Sequence, residues 1–363
     1  MSPTATRSRL WRWTRRILIG LVGLIVAAVL IGATYERWAR HRARREFPPP
    51  GKLVDIGGRI LTSDQALTLD ELPRSAVVLG GGVIGVEFGS VWRSFGADVT
   101  IVEALPRLVP AEDEACSKAL QRAFRRRGIA YRTGARFAEA KQDDASVTLT
   151  LESGDQLNAD LLLVAVGRGP SASGLGYEAA GIRMDRGFVL TDERLHTNLP
   201  NVYAVGDIVP GPQLAHRGFA QGIFVAEEIS GQQPAPIVDS GIPRVTYCYP
   251  EVASVGLTEA QAREQYGADD IGTYEYNLAG NGKSQILSTS GFVKLVRRKD
   301  GPVVGIHIVG ARAGELIGES QLIVNWEATT EDVAQLVHAH PTQNEALGEA
   351  HLALAGKPLH AHG

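Results

Sequence analysis

In the first half of the chain, apolar residues fall in short continuous runs separated by stretches of helical spacing. This is the pattern of strands buried on both faces of a parallel sheet. Residues 76–79 form such a run, followed by a glycine cluster and a helix, then by a second run at 99–102 that ends in Glu103. The pattern predicts a helix over 111–127 and a hairpin pairing 147–151 with 156–158 about Ser153-Gly154-Asp155. A third apolar strand over 161–166 closes on Gly167-Arg168-Gly169-Pro170, and a short strand over 201–205 closes on Gly206-Asp207. A helix over about 216–229 precedes a Pro-rich linker at 232–241. The remainder mixes strands near Val245 and over 292–296 and 303–309 with helices over 315–328, 330–337 and 344–355.

The segment from Ile17 to Thr34 breaks this rhythm with 18 residues that carry no charge. About 20 apolar residues span a bilayer, whereas the apolar core of a signal peptide is usually about 7–15. Trp11, Trp13 and Trp38 flank the run as interfacial aromatics do. It reads as an uncleaved membrane anchor, with a cleaved signal as the alternative, and Pro48-Pro49-Pro50-Gly51 as a stiff spacer behind it. Five arginines lie on each side of the run, so charge assigns no orientation. The body beyond the spacer is expected in the cytoplasm.

Residues 1–46 hold ten arginines against Glu36 and Glu46, a surplus of eight positive charges, which leaves −11 for the rest of a 363-residue chain whose total is −3. An acidic body argues against nucleic-acid binding. Cys116, in a helical stretch, and Cys248, in a strand-like one, are the two cysteines and lie far apart, so no disulfide framework, CxxC motif or metal-ligand cluster is expected.

The chemistry begins at Gly80-x-Gly82-x-x-Gly85, between the first strand and its helix. Gly80 permits the tight turn, Gly82 lets a pyrophosphate approach bare backbone, and Gly85 lets the helix lie close to the strand. Glu103, 18 residues beyond Gly85, can accept hydrogen bonds from an adenosine ribose and would repel a 2′-phosphate, favouring NAD over NADP. Asp207 at a strand end, and Leu214-Ala215-His216 opening a helix, suit a polyol chain and a polar ring edge. In His338-Ala-His340-Pro341-Thr-Gln-Asn-Glu345, Glu345 lies where it can reach back to an imidazole and make it a general acid/base. Asn277 stands where a Walker loop ending in Gly282-Lys283-Ser284 needs glycine, so that stretch is not a P-loop.

Taken together these motifs resemble the pyridine nucleotide–disulfide oxidoreductases, most of all those of the dihydrolipoamide dehydrogenase type. The likeness is carried by Leu61-Thr-Ser-Asp-Gln-Ala-Leu67, the Gly80–Glu87 fingerprint, Val164-Ala-Val-Gly-Arg168, Tyr203-Ala-Val-Gly-Asp207 and Leu214-Ala-His216. It continues through Tyr249-Pro-Glu-Val-Ala-Ser-Val-Gly256, Gly280-Asn-Gly-Lys-Ser284 and His338-Ala-His-Pro-Thr342.

The resemblance implies an α/β chain with a Rossmann-like NAD-binding domain (74–198), a partial FAD-binding domain (58–73 and 199–241) and an α+β dimerisation domain (242–363), preceded by one transmembrane helix within 1–50. It implies that Gly80, Gly81, Gly82, Val83, Ile84, Gly85, Glu103 and Gly167 hold NAD. Asp207, Ala215 and His216 would meet FAD, and His340, oriented by Glu345, would serve a dithiol substrate such as a dihydrolipoyl group. The partners implied are a second copy of the chain, or a full-length homologue in a heterodimer in which this chain is a non-catalytic NAD(H)-binding module. Such enzymes open with their own FAD fingerprint and a C-x4-C redox pair. This sequence begins instead like the membrane-anchored leader of some α/β hydrolases, so an incomplete enzyme, impaired on its own, is expected.

Overall fold

In the computed structural model, residues 58–360 are described. The expected anchor, its flanking arginines and the proline spacer lie outside them, and among the described residues no helix is long and apolar enough to cross a membrane.

The first half builds a five-stranded parallel sheet. Strand β1 (Ile60–Thr62) runs into a one-turn helix α1 (Ser63–Ala66). Then come β2 (Ser75–Leu79), α2 (Val83–Ser94), β3 (Asp98–Glu103), α3 (Glu114–Arg126) and β4 (Ala130–Thr133). An antiparallel meander of β5 (Phe137–Gln142), β6 (Val147–Leu151) and β7 (Gln156–Ala159) leads to β8 (Leu161–Val164). The sheet order is β1-β8-β2-β3-β4, with Leu79 paired to both Val102 and Val164. Both faces are covered, which explains the unbroken apolar runs. Val78, Ile101 and Leu163 pack under α2 and α3, while Val77, Val102 and Leu162 pack under the meander. Residues 60–62, in the segment 58–73 expected to group with 199–241, pair with β8 at this sheet's edge.

A small hairpin, β9 (Met184–Asp185) with β10 (Phe188–Val189), follows. The strand expected over 201–205 does not form. Tyr203 makes one isolated bridge to His196, and Ala204 joins Val189 and Val209 in a small apolar cluster. Burial there is satisfied without a ladder. After a 3₁₀ turn at Gly206–Ile208 comes α4 (Ala215–Ile229).

The last third is a separate antiparallel sheet. Its strands are β11 (Arg244–Thr246), β12 (Glu251–Gly256), β13 (Ile271–Asn277), β14 (Phe292–Arg298) and β15 (Val303–Gly310), in the order β11-β12-β15-β14-β13. Helix α5 (Glu259–Tyr266) and short α6 (Gly282–Ile286) flank β13, and α7 (Ala313–Asn325), α8 (Thr330–Ala334) and α9 (Glu345–Leu354) close the chain. Leu316 and Ile317 of α7 and Ala346, Leu347 and Ala350 of α9 bury one face of this sheet with Leu295, Ile306 and Ile308. Asn281 caps α6, accepting from the Ser284 N–H at 2.9 Å, so the Gly282-Lys283-Ser284 stretch is an asparagine-capped turn. Cys248 sits in a bend between β11 and β12, outside the expected strand.

One buried ionic cluster ties the two sheets. Asp113, the N-cap of α3, accepts from the Glu259 N–H at the start of α5 (3.0 Å) and from Lys294 Nζ on β14 (2.7 Å). Lys294 also meets Glu259 Oε2 at 2.8 Å. Burial opposes both charges; for Asp113 it is outweighed by His307, Lys294 and two N–H donors, which hold the carboxyl below its ordinary range. Removing one partner of such a buried pair costs about 3–5 kcal/mol, so the cluster fixes how α3 meets β14.

Two buried histidines give the fold a pH signature. His351 on α9 is fully buried, and desolvation pushes its pKa down to about 4. His307 on β15, held between Ser254 Oγ and the Leu257 carbonyl, is lowered for the same reason. A depressed histidine stays neutral in the fold while the unfolded chain takes up a proton. The stability it supports is therefore full above pH ~6.5 and drains as pH falls towards the folded value. His351 accounts for ~3 kcal/mol of loss between pH ~6.5 and ~4. Chemical denaturation across that range should give a profile flatter by about this amount in His351→Asn; parallel profiles would contradict the assignment.

Candidate functional site

The strand order reverses at β2, because β3 and β4 follow on one side while β8 and β1 lie on the other. Ligand crevices form at the carboxyl end of such a strand. Here β2 exits into Gly80, whose φ of +111° is a conformation that L side chains rarely adopt. A Cβ at Gly80 would lie 2.2 Å from the Ala165 carbonyl oxygen, and one at Gly85 would lie 1.9 Å from the Gly80 carbonyl oxygen. A Cβ at Gly82 would meet nothing within 4 Å. Two glycines are thus required by backbone approach, and the third leaves an open face. Gly82 is the N-cap of α2 and supplies no side-chain cap, and no acidic residue occupies the first turn. The free N–H groups and the positive end of the helix dipole are left for an anion.

A cleft of about 810 Å³ lies over this turn, lined by Gly80, Gly82, Val83, Ile84, Glu103 and Gly167 among others. Its volume is in the range of cofactor pockets. Gly81 and Gly85 stand behind the lining and shape it. Sequence reasoning did not pick out Leu105, Phe137 and Val166, which add exposed apolar surface to the cleft. Leu105 and Phe137 carry no motif, and Val166 lies inside Val164-Ala-Val-Gly-Arg168, where only its apolar character marks it. Glu103 is more constrained than expected. It is buried, with Oε2 accepting from the Gly81 N–H at 2.6 Å and Oε1 from the Leu105 N–H at 2.7 Å. Each carboxylate oxygen keeps a further lone pair, so the group is a fixed acceptor whose remaining capacity suits ribose hydroxyls. A second cleft of about 810 Å³ between α3 and α5 is lined by charges already paired with one another, such as Lys294 with Glu259 and Arg263 with Glu259. It offers no comparable open backbone.

His340 and Glu345 are brought together on the second sheet, away from the glycine cleft's lining. His340 Nδ1 lies 2.8 Å from Glu345 Oε1, and Glu345 Oε2 accepts from the Thr342 N–H at 2.7 Å. Burial resists the charge on Glu345, but the Thr342 N–H and His340 outweigh it and hold the carboxyl below its ordinary range. The imidazole is 76 % exposed, with Nδ1 tied and Nε2 left to exchange a proton.

The residues expected at FAD are all exposed. Asp207 is exposed in the 3₁₀ turn, where the Gly206 N–H donates to Gln221 Oε1 at 2.7 Å. Ala215 opens α4, while His216 Nε2 is engaged with the Pro243 carbonyl at 2.9 Å. Phe219 and Ile223, one and two turns beyond Ala215 on the same helix face, are 72 % and 62 % exposed. Neither cysteine is available as a thiolate, since burial pushes Cys248 up to about 12 and Cys116 well above its usual value. Among the described residues no group of three or more His, Cys, Asp or Glu is placed to hold a metal.

Residues 42–222 match the family model for pyridine nucleotide-disulphide oxidoreductase, and residues 242–351 match that family's dimerisation domain. The dihydrolipoyl dehydrogenase of Bacillus subtilis is 41% identical over 309 residues, covering 83% of this chain and 65% of that protein. Mitochondrial dihydrolipoyl dehydrogenase 2 of Arabidopsis thaliana is 38% identical over 318 residues, covering 86% and 62%. A Rhizobium etli dihydrolipoyl dehydrogenase is 38% identical over 330 residues, covering 89% and 67%. The chain thus spans slightly less than two thirds of the Bacillus and Arabidopsis relatives. Among solved structures, LpdA from Mycobacterium tuberculosis superposes with a TM-score of 0.76 at 30% identity, over 82% of this chain and 65% of that one. The HOCl-induced flavoprotein disulfide reductase RclA from Escherichia coli gives a TM-score of 0.75 at 28% identity, over 84% and 70%. With both domain models matched in order on the glycine cleft and the His340–Glu345 pair, the chain is a member of the pyridine nucleotide-disulphide oxidoreductase family.

Proposed function

We propose that the chain is a dihydrolipoamide dehydrogenase-like, NAD(H)-binding oxidoreductase subunit that acts as a homodimer. The observation that carries this reading is the glycine turn, where two Cβ positions are forbidden by backbone and the third opens onto uncapped helix N–H groups. In this reading the α2 N-terminus receives the pyrophosphate and Glu103 accepts the adenosine ribose hydroxyls. Gly167, on the loop after β8, borders the same cleft. Bound FAD would supply two-electron transfer between a dithiol and the nicotinamide. Asp207, Ala215 and His216 are the residues of this chain that would face it. His340 would hold or release the dithiol proton at Nε2 while Glu345 fixes Nδ1. Residues 17–34 are read as a membrane anchor, on the strength of their uncharged apolar run, with the body in the cytoplasm.

The visible spectrum of the purified protein tests the flavoprotein part. A yellow flavin band near one per chain, with NADH-dependent bleaching, is expected. A colourless protein that still binds NADH would leave the nucleotide site standing and remove the flavin reading in favour of a binding module. For the nucleotide site, Glu103→Gln should weaken NADH about tenfold, the scale of one charge-assisted hydrogen bond. Sedimentation of this variant should show the same dimer as the wild-type protein. Unchanged NADH affinity would contradict the role given to Glu103.

A further inference from the structure

The loop that carries His340 is held at both ends by one carboxylate outside the motif. Glu319, on α7, places Oε1 2.8 Å from His338 Nε2 and Oε2 2.8 Å from Asn344 Nδ2. His338 begins the loop, and Asn344 ends it as the residue before α9. The ring of His338 lies against Gly348 of α9, where a Cβ would come within 2.6 Å of its Nδ1. Glu345, the next residue after Asn344, is the one that fixes His340 and the Thr342 N–H. The connections therefore run from Glu319 through the two loop ends to the His340–Glu345 pair.

We propose that Glu319 is a positioning residue for His340, clamping residues 338–344 so that Glu345 meets the His340 imidazole. This rests on the reading of His340 as the acid/base group. One carboxylate with two separately engaged oxygens fixes distance and direction together, which a single hydrogen bond to either end cannot do. The charged groups that face His338 are Glu319 from α7 and Glu345 from α9, and His351 lies nearby on α9. The Glu319 hydrogen bond raises the pKa of His338 against the effect of burial, so the clamp is charge-assisted whenever His338 is protonated.

The rate of diethylpyrocarbonate modification of His340 in the full chain, followed by peptide mass spectrometry, tests this without relying on turnover. His340 is already 76 % exposed, so access does not limit the reaction. With Nδ1 held by Glu345 Oε1 the ring offers the reagent only Nε2, whereas a released ring offers either nitrogen. Glu319→Gln should raise the His340 rate about twofold, by freeing its second ring nitrogen, while leaving exposed His216 unchanged as an internal reference. Asn344→Ala cuts the other arm without altering charge and should shift the rate in the same direction, which covers the case of a poorly folded Glu319→Gln. Wild-type rates at His340 in both variants would overturn the proposal. If the rates rise as expected but the wild-type protein shows no dihydrolipoamide oxidation, the clamp stands and only the proposed function fails.

Discussion

The structure depends on one approach of backbone to backbone, the crossing of α2 over the exit of β2 at Gly85 and Gly80. No atom can stand between the Gly85 Cα and the Gly80 carbonyl, since a Cβ there would sit at 1.9 Å. That contact aims the first turn of α2 at the cleft and leaves Gly82 bare. It also brings Gly81 to where its N–H reaches Glu103 across the neighbouring strand. In the proposed reading, phosphate and ribose recognition are therefore set by the same packing event. The register that places Leu79 between Val102 and Val164 keeps the three strand ends level beneath it.

The second sheet answers a different need. Its chemistry lies in side chains held by helices α7 and α9. The two halves meet through Asp113, Lys294 and Glu259, a buried cluster whose members each hold more than one partner. Such a cluster is poor value as stabilisation but specific as geometry, because no shifted arrangement of α3, α5 and β14 satisfies all three charges. Around His340 the same device recurs on a smaller scale, with Glu319 and Glu345 each engaging two groups.

The three central strands of the parallel sheet were legible in the sequence because their rules are local, while edge strands β1 and β4 were not. Continuous apolar runs marked β2, β3 and β8, and the three glycines marked the turn between β2 and α2. The His340–Glu345 pair was legible for a similar reason, five residues apart across a proline. Strand β13, reading Gly-Thr-Tyr-Glu-Tyr-Asn after Ile271, was missed because an edge strand with one wet face has no apolar run. The strand expected at 201–205 failed in the opposite way, since its apolar residues fill a small cluster and need no ladder. Glu103 was recognised as an acceptor, but the two N–H donors that fix it come from turns whose path no local pattern describes. Glu319 carried no signal at all. It lies 19 residues before His338, on α7, and only the packing of α7 and α9 on the same core makes them neighbours.

The central claim is that the turn from Gly80 to Gly85, with Glu103 beside it, is an NAD(H) site. Fluorescence titration of the purified protein with NADH and NADPH addresses it directly. The account predicts saturable binding of one NADH per chain and markedly weaker binding of NADPH, whose 2′-phosphate would face the Glu103 carboxylate. Absence of saturable NADH binding, or preference for NADPH, would contradict it.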